Sequence, residues 1–329
     1  MVKQTTDKVI GKVGDYDLLR DISHSKHYKT FKATNHEGKF FSLVTVDCAN
    51  VLLDQKKKLH EQDSQMDEEE VEKLAREKIG ELYRELQHVY TVAKDFSHPN
   101  LPAVYDWIHD QQNDRNFLVM EYTLPVENNI FAATEGITPI QTISVFLPQF
   151  DATGYLHRQG YLHGNLRANS IRANMESPPV IKIVTFGHLV SLDGDKHGIK
   201  GTGFYVAPEV ALRRYDQIGP TSDLYSLALI WRYCITRKLP FVSRQMYVND
   251  AERLAQHIEK HEAPLPPMKN HVSSFDLIPD AMEYLISKLT EPDPLKREFK
   301  TSQDVENYCF ENWPRESREM PIAGTITTR

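Results

Sequence analysis

The chain has 329 residues, 40% hydrophobic and 26% charged, with a formal net charge of −7 and an isoelectric point near 6.1. That balance fits a soluble globular protein with material for one large domain or two lobes, and it speaks against nucleic acid as a partner, which asks for a basic face. Cys48, Cys234 and Cys309 are widely separated and form no C-x-x-C pair, which argues against a zinc site or a disulfide framework and for buried free thiols in a reducing compartment. Met1 to Asp7 are polar and carry no apolar signal region, and the run Leu227 to Trp231 is far too short to span a bilayer, so a soluble, cytoplasmic protein is expected.

Residues 1–14 read as an N-terminal tail. From residue 15 to 47, apolar and polar residues alternate around a turn signal at Asn35-His36-Glu37-Gly38, which predicts strands and hairpins; Phe40 to Val46 is the clearest strand. Residues 50–96 change period. Val71, Leu74, Ala75, Ile79, Leu82, Leu86, Val89, Val92, Ala93 and Phe96 recur near 3.6 residues and predict one long helix or two. The charge runs Lys56-Lys57-Lys58 and Asp67-Glu68-Glu69-Glu70 read as a solvated helical face, with a docking patch as the alternative. His98-Pro99-Asn100 ends the helix, strands resume at Val104 to Ile108 and at Asn116 to Tyr122, and helices are expected near 140–160, 221–236, 249–260 and 279–290. Strands first and helices afterwards give an α+β class or two domains.

A series of motifs then appears in one order. His163-Gly164-Asn165-Leu166-Arg167-Ala168-Asn169-Ser170-Ile171 looks like a protein kinase catalytic loop. Thr185-Phe186-Gly187 resembles the metal-binding D-F-G, Gly201 to Glu209 the end of a Ser/Thr-type activation segment with its A-P-E, Ser222 to Leu227 the D-x-W-S-x-G helix, and Asp293 to Arg297 the closing arginine motif. Each alone is weak; five in order and spacing are strong, and the resemblance to the protein kinase superfamily covers residues 15 to 312. It implies a bilobal fold with a small β-rich N-lobe over 15–123, carrying the extended helical segment 50–96, a larger helical C-lobe over 124–312, and a tail over 313–329. Tyr16 to Arg20 lead into the Gly-rich-loop position, Phe31-Lys32-Ala33 sit at V-Y-K-A, and Met120 sits at the gatekeeper position.

The same resemblance marks what is missing. Phosphoryl transfer needs cradled phosphates, metal ions and an oriented hydroxyl. The three loop glycines read Ser23, Ser25 and Tyr28, where an ordinary hairpin turn is the plainer reading. The strand lysine reads Val44, with Thr45 no substitute, and its helix glutamate falls on Val89, with Glu85 one turn earlier. The catalytic aspartate is Asn165, whose amide cannot serve as a general base. The metal ligands are Ser170 and Thr185, hydroxyls where magnesium favours carboxylate. The loop arginine is Gly164, and Arg167 keeps a cation at the loop lysine. The aliphatic adenine floor is Arg172, placed to plug the site, to point to solvent, or to stack on a base. Scaffold positions persist: His163 and Phe186 in the apolar spine, Asp223 as anchor of the catalytic loop, and Glu209 with Arg297 as a buried ion pair.

These substitutions point to a catalytically inactive pseudokinase with no cofactor and little or no Mg-ATP binding. It would act as a scaffold or allosteric regulator toward a protein partner, such as an active kinase or another signalling protein. The alternatives are a nucleotide-binding pseudokinase and an atypical active Ser/Thr kinase whose groups have moved, with Asp47, Asp193 and Asp195 as the nearby carboxylates.

Overall fold

The computed structural model describes residues 8–25, 27–62, 67–125, 129–174, 176, 180–184, 189–199, 204–241, 251–260, 265–271 and 278–314. The chain divides into two units, one of residues 1–97 and 101–126, the other of residues 98–100 and 127–329. The class is α+β, with the sheet concentrated in the first unit and most helices in the second.

In the first unit, strands β1 (Gly11–Val13), β2 (Tyr16–His24), β3 (Tyr28–Thr34), β4 (Phe40–Val46), β5 (Val104–Asp110) and β6 (Arg115–Glu121) form an antiparallel sheet in the order β1-β2-β3-β4-β6-β5. Residues 11–13 are therefore a sheet edge and not part of a tail; three residues are too few to show the alternation that marks a strand in sequence. One face of the sheet builds a core from Val13, Leu18, Ala33, Phe41, Leu43, Phe117 and Val119. β4 is buried along all but its first residue, as expected of a strand covered on both faces.

The helical stretch resolves into two helices, α1 (Cys48–Gln62) and α2 (Glu68–Ala93). Val71, Ala75, Leu82, Leu86, Val89 and Ala93 give α2 its buried stripe, and α2 packs on β4, β5 and β6. Glu68, Glu69 and Glu70 lie in its first turn, where carboxylates meet the positive end of the helix dipole. Lys56 of α1 reaches Glu68 at 3.0 Å and Glu72 at 4.0 Å, so part of the two charge runs is spent on joining the two helices.

The second unit is built on α6 (Pro220–Thr236), whose sequence is apolar on nearly every side and which is buried accordingly. Trp231 stacks on Phe146 of α4 (Thr142–Arg158) at 5.3 Å and donates its indole N–H to Thr142 at 2.7 Å. Short elements α3 (Ile130–Ala133), β7 (Tyr161–Leu162), β8 (Ile171–Ala173), β9 (Ile181–Ile183), β10 (Val190–Ser191) and α5 (Pro208–Ala211) complete its first half. Then follow α7 (Ala251–Glu259), α8 (Asp280–Leu289) and α9 (Ser302–Asn312). Gly154 permits α4 and α9 to touch: a Cβ there would stand 2.7 Å from Ser302 Cβ. Trp313 is buried and meets Tyr308 edge to face, so the fold runs past the expected boundary at 312. Cys234 and Cys309 are buried free thiols, whereas Cys48 is only partly buried. Among the described residues no helix is long and apolar enough to cross a membrane.

Candidate functional site

The site-bearing segments divide between the two units. In the first, Ser23 lies in β2 and Tyr28 opens β3, joined by a tight turn at Ser25. The Ser25 hydroxyl accepts from the Tyr28 N–H at 3.0 Å and the Ser25 N–H donates to the Tyr28 carbonyl at 2.8 Å, which is the bonding of an ordinary hairpin. Tyr28 is buried, and its hydroxyl donates to Glu85 of α2 at 3.1 Å. Burial, with Glu85 nearby, pushes its phenol well above the usual range.

Val44 has no exposed surface, and Val89 is 1% exposed. Met120 is fully buried in β6, paired with Ser42 across the ladder. Glu85, the glutamate expected to serve only if the helix shifted, takes Tyr28 as its partner. Asp47 accepts from the Asn50 N–H at 3.3 Å in the first turn of α1, the work of a capping residue.

In the second unit the catalytic-loop segment runs from β7 to β8. Asp223, at the start of α6, accepts the backbone N–H of His163 at 2.9 Å and of Gly164 at 3.0 Å, and His157 Nε2 stands 3.0 Å from the same carboxylate. Burial, the largest influence, would raise the Asp223 carboxyl, but the bond and charge of His157, with His163 beside it, outweigh burial and hold it below the usual range. Burial also lowers the imidazole of His163, whose Nε2 lies 3.3 Å from the Val184 carbonyl.

Gly164 sits at φ 71°, the left-handed region that a side chain enters at a cost of roughly 1 kcal/mol. The residue read only as a lost arginine thus also relaxes the loop. Asn165 follows, its N–H 3.3 Å from His163 Nδ1. The Ser170 hydroxyl points at the Asn165 carbonyl at 3.5 Å, while its own backbone bonds Arg167 at 2.8 Å and Val184 at 2.6 Å. The loop is thus held by Asp223 at two backbone N–H groups and carries the amide of Asn165 and the hydroxyl of Ser170.

Arg172 is 5% exposed, with its Nε donating to the Asn169 carbonyl at 2.9 Å. This removes the solvent-pointing reading: β8 is buried at all three positions and leaves the side chain no route to water. Thr185 and Phe186 lie outside the described residues. Asp195 is an exposed turn residue that accepts from the His197 N–H at 2.9 Å, a bond that holds its carboxyl low; Asp193 is also exposed.

Glu209 and Arg297 meet through two hydrogen bonds of 2.7 Å each, both side chains essentially without exposed surface. Ser222 donates a third bond to Glu209 at 2.6 Å. Motif reading did not single out His157, and it missed Tyr83, whose hydroxyl stands 3.3 Å from Thr45. No local motif marks them, because each contact joins residues far apart in sequence.

The family model of the protein kinase domain matches residues 50–307, and the chain belongs to that family. The match begins after the Ser23–Tyr28 turn and the strand carrying Val44. The mouse serine/threonine-protein kinase ULK3 is 29% identical over 210 residues, 63% of this chain and 41% of that protein. A probable serine/threonine-protein kinase of Clostridium perfringens is 26% identical over 230 residues, 68% of this chain and 31% of its own length. Serine/threonine-protein kinase PknB of Mycolicibacterium smegmatis is 25% identical over 222 residues, 65% of this chain and 33% of that protein. The chain thus spans about two fifths or less of these curated relatives.

Proposed function

We propose that this member of the kinase family is a pseudokinase: it transfers no phosphate, binds Mg-ATP little or not at all, and acts by binding protein, as a scaffold or as an allosteric regulator of another signalling protein. The observation that carries the reading is the catalytic loop. Asp223 grips its backbone at two N–H groups, yet the residues it presents are Asn165 and Ser170. A neutral amide has no lone pair basic enough to take a hydroxyl proton, and a neutral hydroxyl is a poor magnesium ligand. Val44, fully buried in β4, supports it from the first unit, because no cation stands there to meet phosphates. The residues present therefore do not fit the magnesium nucleotide on which the family's chemistry depends.

The test is transfer of labelled phosphate from ATP to the protein itself and to generic Ser/Thr substrates. No incorporation above a heat-treated control is expected. Incorporation abolished by changing Asp193 would establish a relocated catalytic group and refute the reading.

A second reading, nucleotide binding without transfer, draws on Arg167. This guanidinium is half-buried, burial lowers its pKa, and it makes no hydrogen bond or ion pair among the described residues. An anion there would relieve its burial. Nucleotide stabilisation that persists without magnesium and is lost in Arg167→Ala would favour it.

A further inference from the structure

We infer that Tyr28 and Tyr83 form a two-point latch that fixes helix α2 on the sheet from opposite sides, doing constitutively what a lysine–glutamate pair does in an active kinase. The sheet tyrosine, Tyr28, donates to helix residue Glu85 at 3.1 Å. The helix tyrosine, Tyr83, meets sheet residue Thr45 at 3.3 Å and Cys48 Sγ at 3.7 Å. Tyr28 pairs with Val46 across β3 and β4, and Thr45 is the next residue along β4. Side chains alternate along a strand, so Tyr28 and Thr45 leave the sheet on opposite faces. On the helix, residues 83 and 85 are two apart, about 200° around the axis, and so lie on opposite flanks. A roll of α2 in either direction lengthens one bond or the other.

The phenols remain protonated throughout the neutral range, since burial pushes Tyr83 up to about 12 and Tyr28 higher still. Between them Leu82, Leu86 and Val89 seat α2 by apolar contact, which resists separation more than rotation. The latch goes beyond the proposed loss of catalysis and rests on neither nucleotide nor substrate.

Hydrogen exchange of the α2 amides tests it. Tyr28→Phe and Tyr83→Phe keep the rings and remove only the hydroxyls. Exchange over residues 82–93 is expected to quicken about tenfold in Tyr28→Phe, which loses a bond to a carboxylate, and about fivefold in Tyr83→Phe. Glu85→Ala should reproduce Tyr28→Phe, and α4 and α6 should exchange as before. Unchanged α2 exchange in the double variant overturns the latch, and so does equal quickening in α4 and α6, which would report general loss of stability. The outcome is independent of whether the chain transfers phosphate, so the two conclusions fail separately.

Discussion

Arg297→Ala removes the centre of a buried hydrogen-bond network. The guanidinium gives two 2.7 Å bonds to Glu209 and further bonds to the carbonyls of Thr221 at 3.1 Å, Glu291 at 2.9 Å and Pro292 at 3.3 Å. It also lies over the Tyr225 ring at 4.7 Å. In the alanine variant the Glu209 carboxylate stays in a site with no exposed surface and, among the described residues, keeps only the hydroxyl of Ser222 as a hydrogen-bond partner. Removing one partner of such a pair costs on the order of 3–5 kcal/mol, because the remaining charge is buried and unmatched. At about 2–4 °C per kcal/mol, the value for units of 150–250 residues, the melting temperature should fall by roughly 10 °C. Arg297→Lys should fall between, since lysine keeps the charge and loses the planar fork. Differential scanning calorimetry reads all three proteins. A melting temperature for Arg297→Ala within about 2 °C of the parent, on the same scale, would refute the argument.

Three further outcomes follow from the same geometry. The folded pKa of His163 is depressed below its ordinary 6.5 and that of Asp223 below 3.8, so the unfolded chain binds the extra protons; the stability they contribute is full above those values and lost as the pH falls, His163 first. The melting temperature should therefore decline on acidification below about pH 6.5, and His163→Asn should flatten that decline relative to the parent. Val44→Lys, which places an ammonium at a fully buried strand position, should lower the melting temperature in the same calorimetric assay without restoring phosphate transfer. If the front of α2 docks a protein partner, charge reversal at Glu68, Glu69 and Glu70 weakens its capture in a pull-down while moving the melt by little, since the Lys56–Glu68 contact is a solvent-exposed pair; unchanged capture would exclude this helix end as the docking patch.

The parts of the molecule legible in the sequence are those written as contiguous motifs. His163 to Ser170 and Ala207 to Glu209 each fall on one short segment, and the period of α2 is carried by six buried positions. Partners far apart were legible only through the kinase resemblance, as with Glu209 and Arg297, 88 residues apart. Tyr28 with Glu85, 57 apart, and His157 with Asp223, 66 apart, had no such guide. A tyrosine at a glycine position reads as loss until its hydroxyl is seen to reach a helix. Gly164 likewise reads as a missing arginine until its positive φ gives the substitution a backbone reason. Arg172 shows the opposite limit: its identity was plain, but the direction of its side chain depends on β8 being buried on both sides.

The central claim, that this kinase fold has no use for Mg-ATP, is tested most directly by thermal shift at millimolar Mg-ATP. Charge-assisted contacts of the kind lost at Val44 and at the metal positions Ser170 and Thr185 are worth roughly 1.5–3 kcal/mol each, and losing two weakens binding by on the order of a hundredfold or more. A ligand at about 100 times its Kd would add roughly 2.7 kcal/mol and raise the melting temperature by several degrees. The expected shift is indistinguishable from zero. A saturable rise that vanishes when magnesium is removed would contradict it.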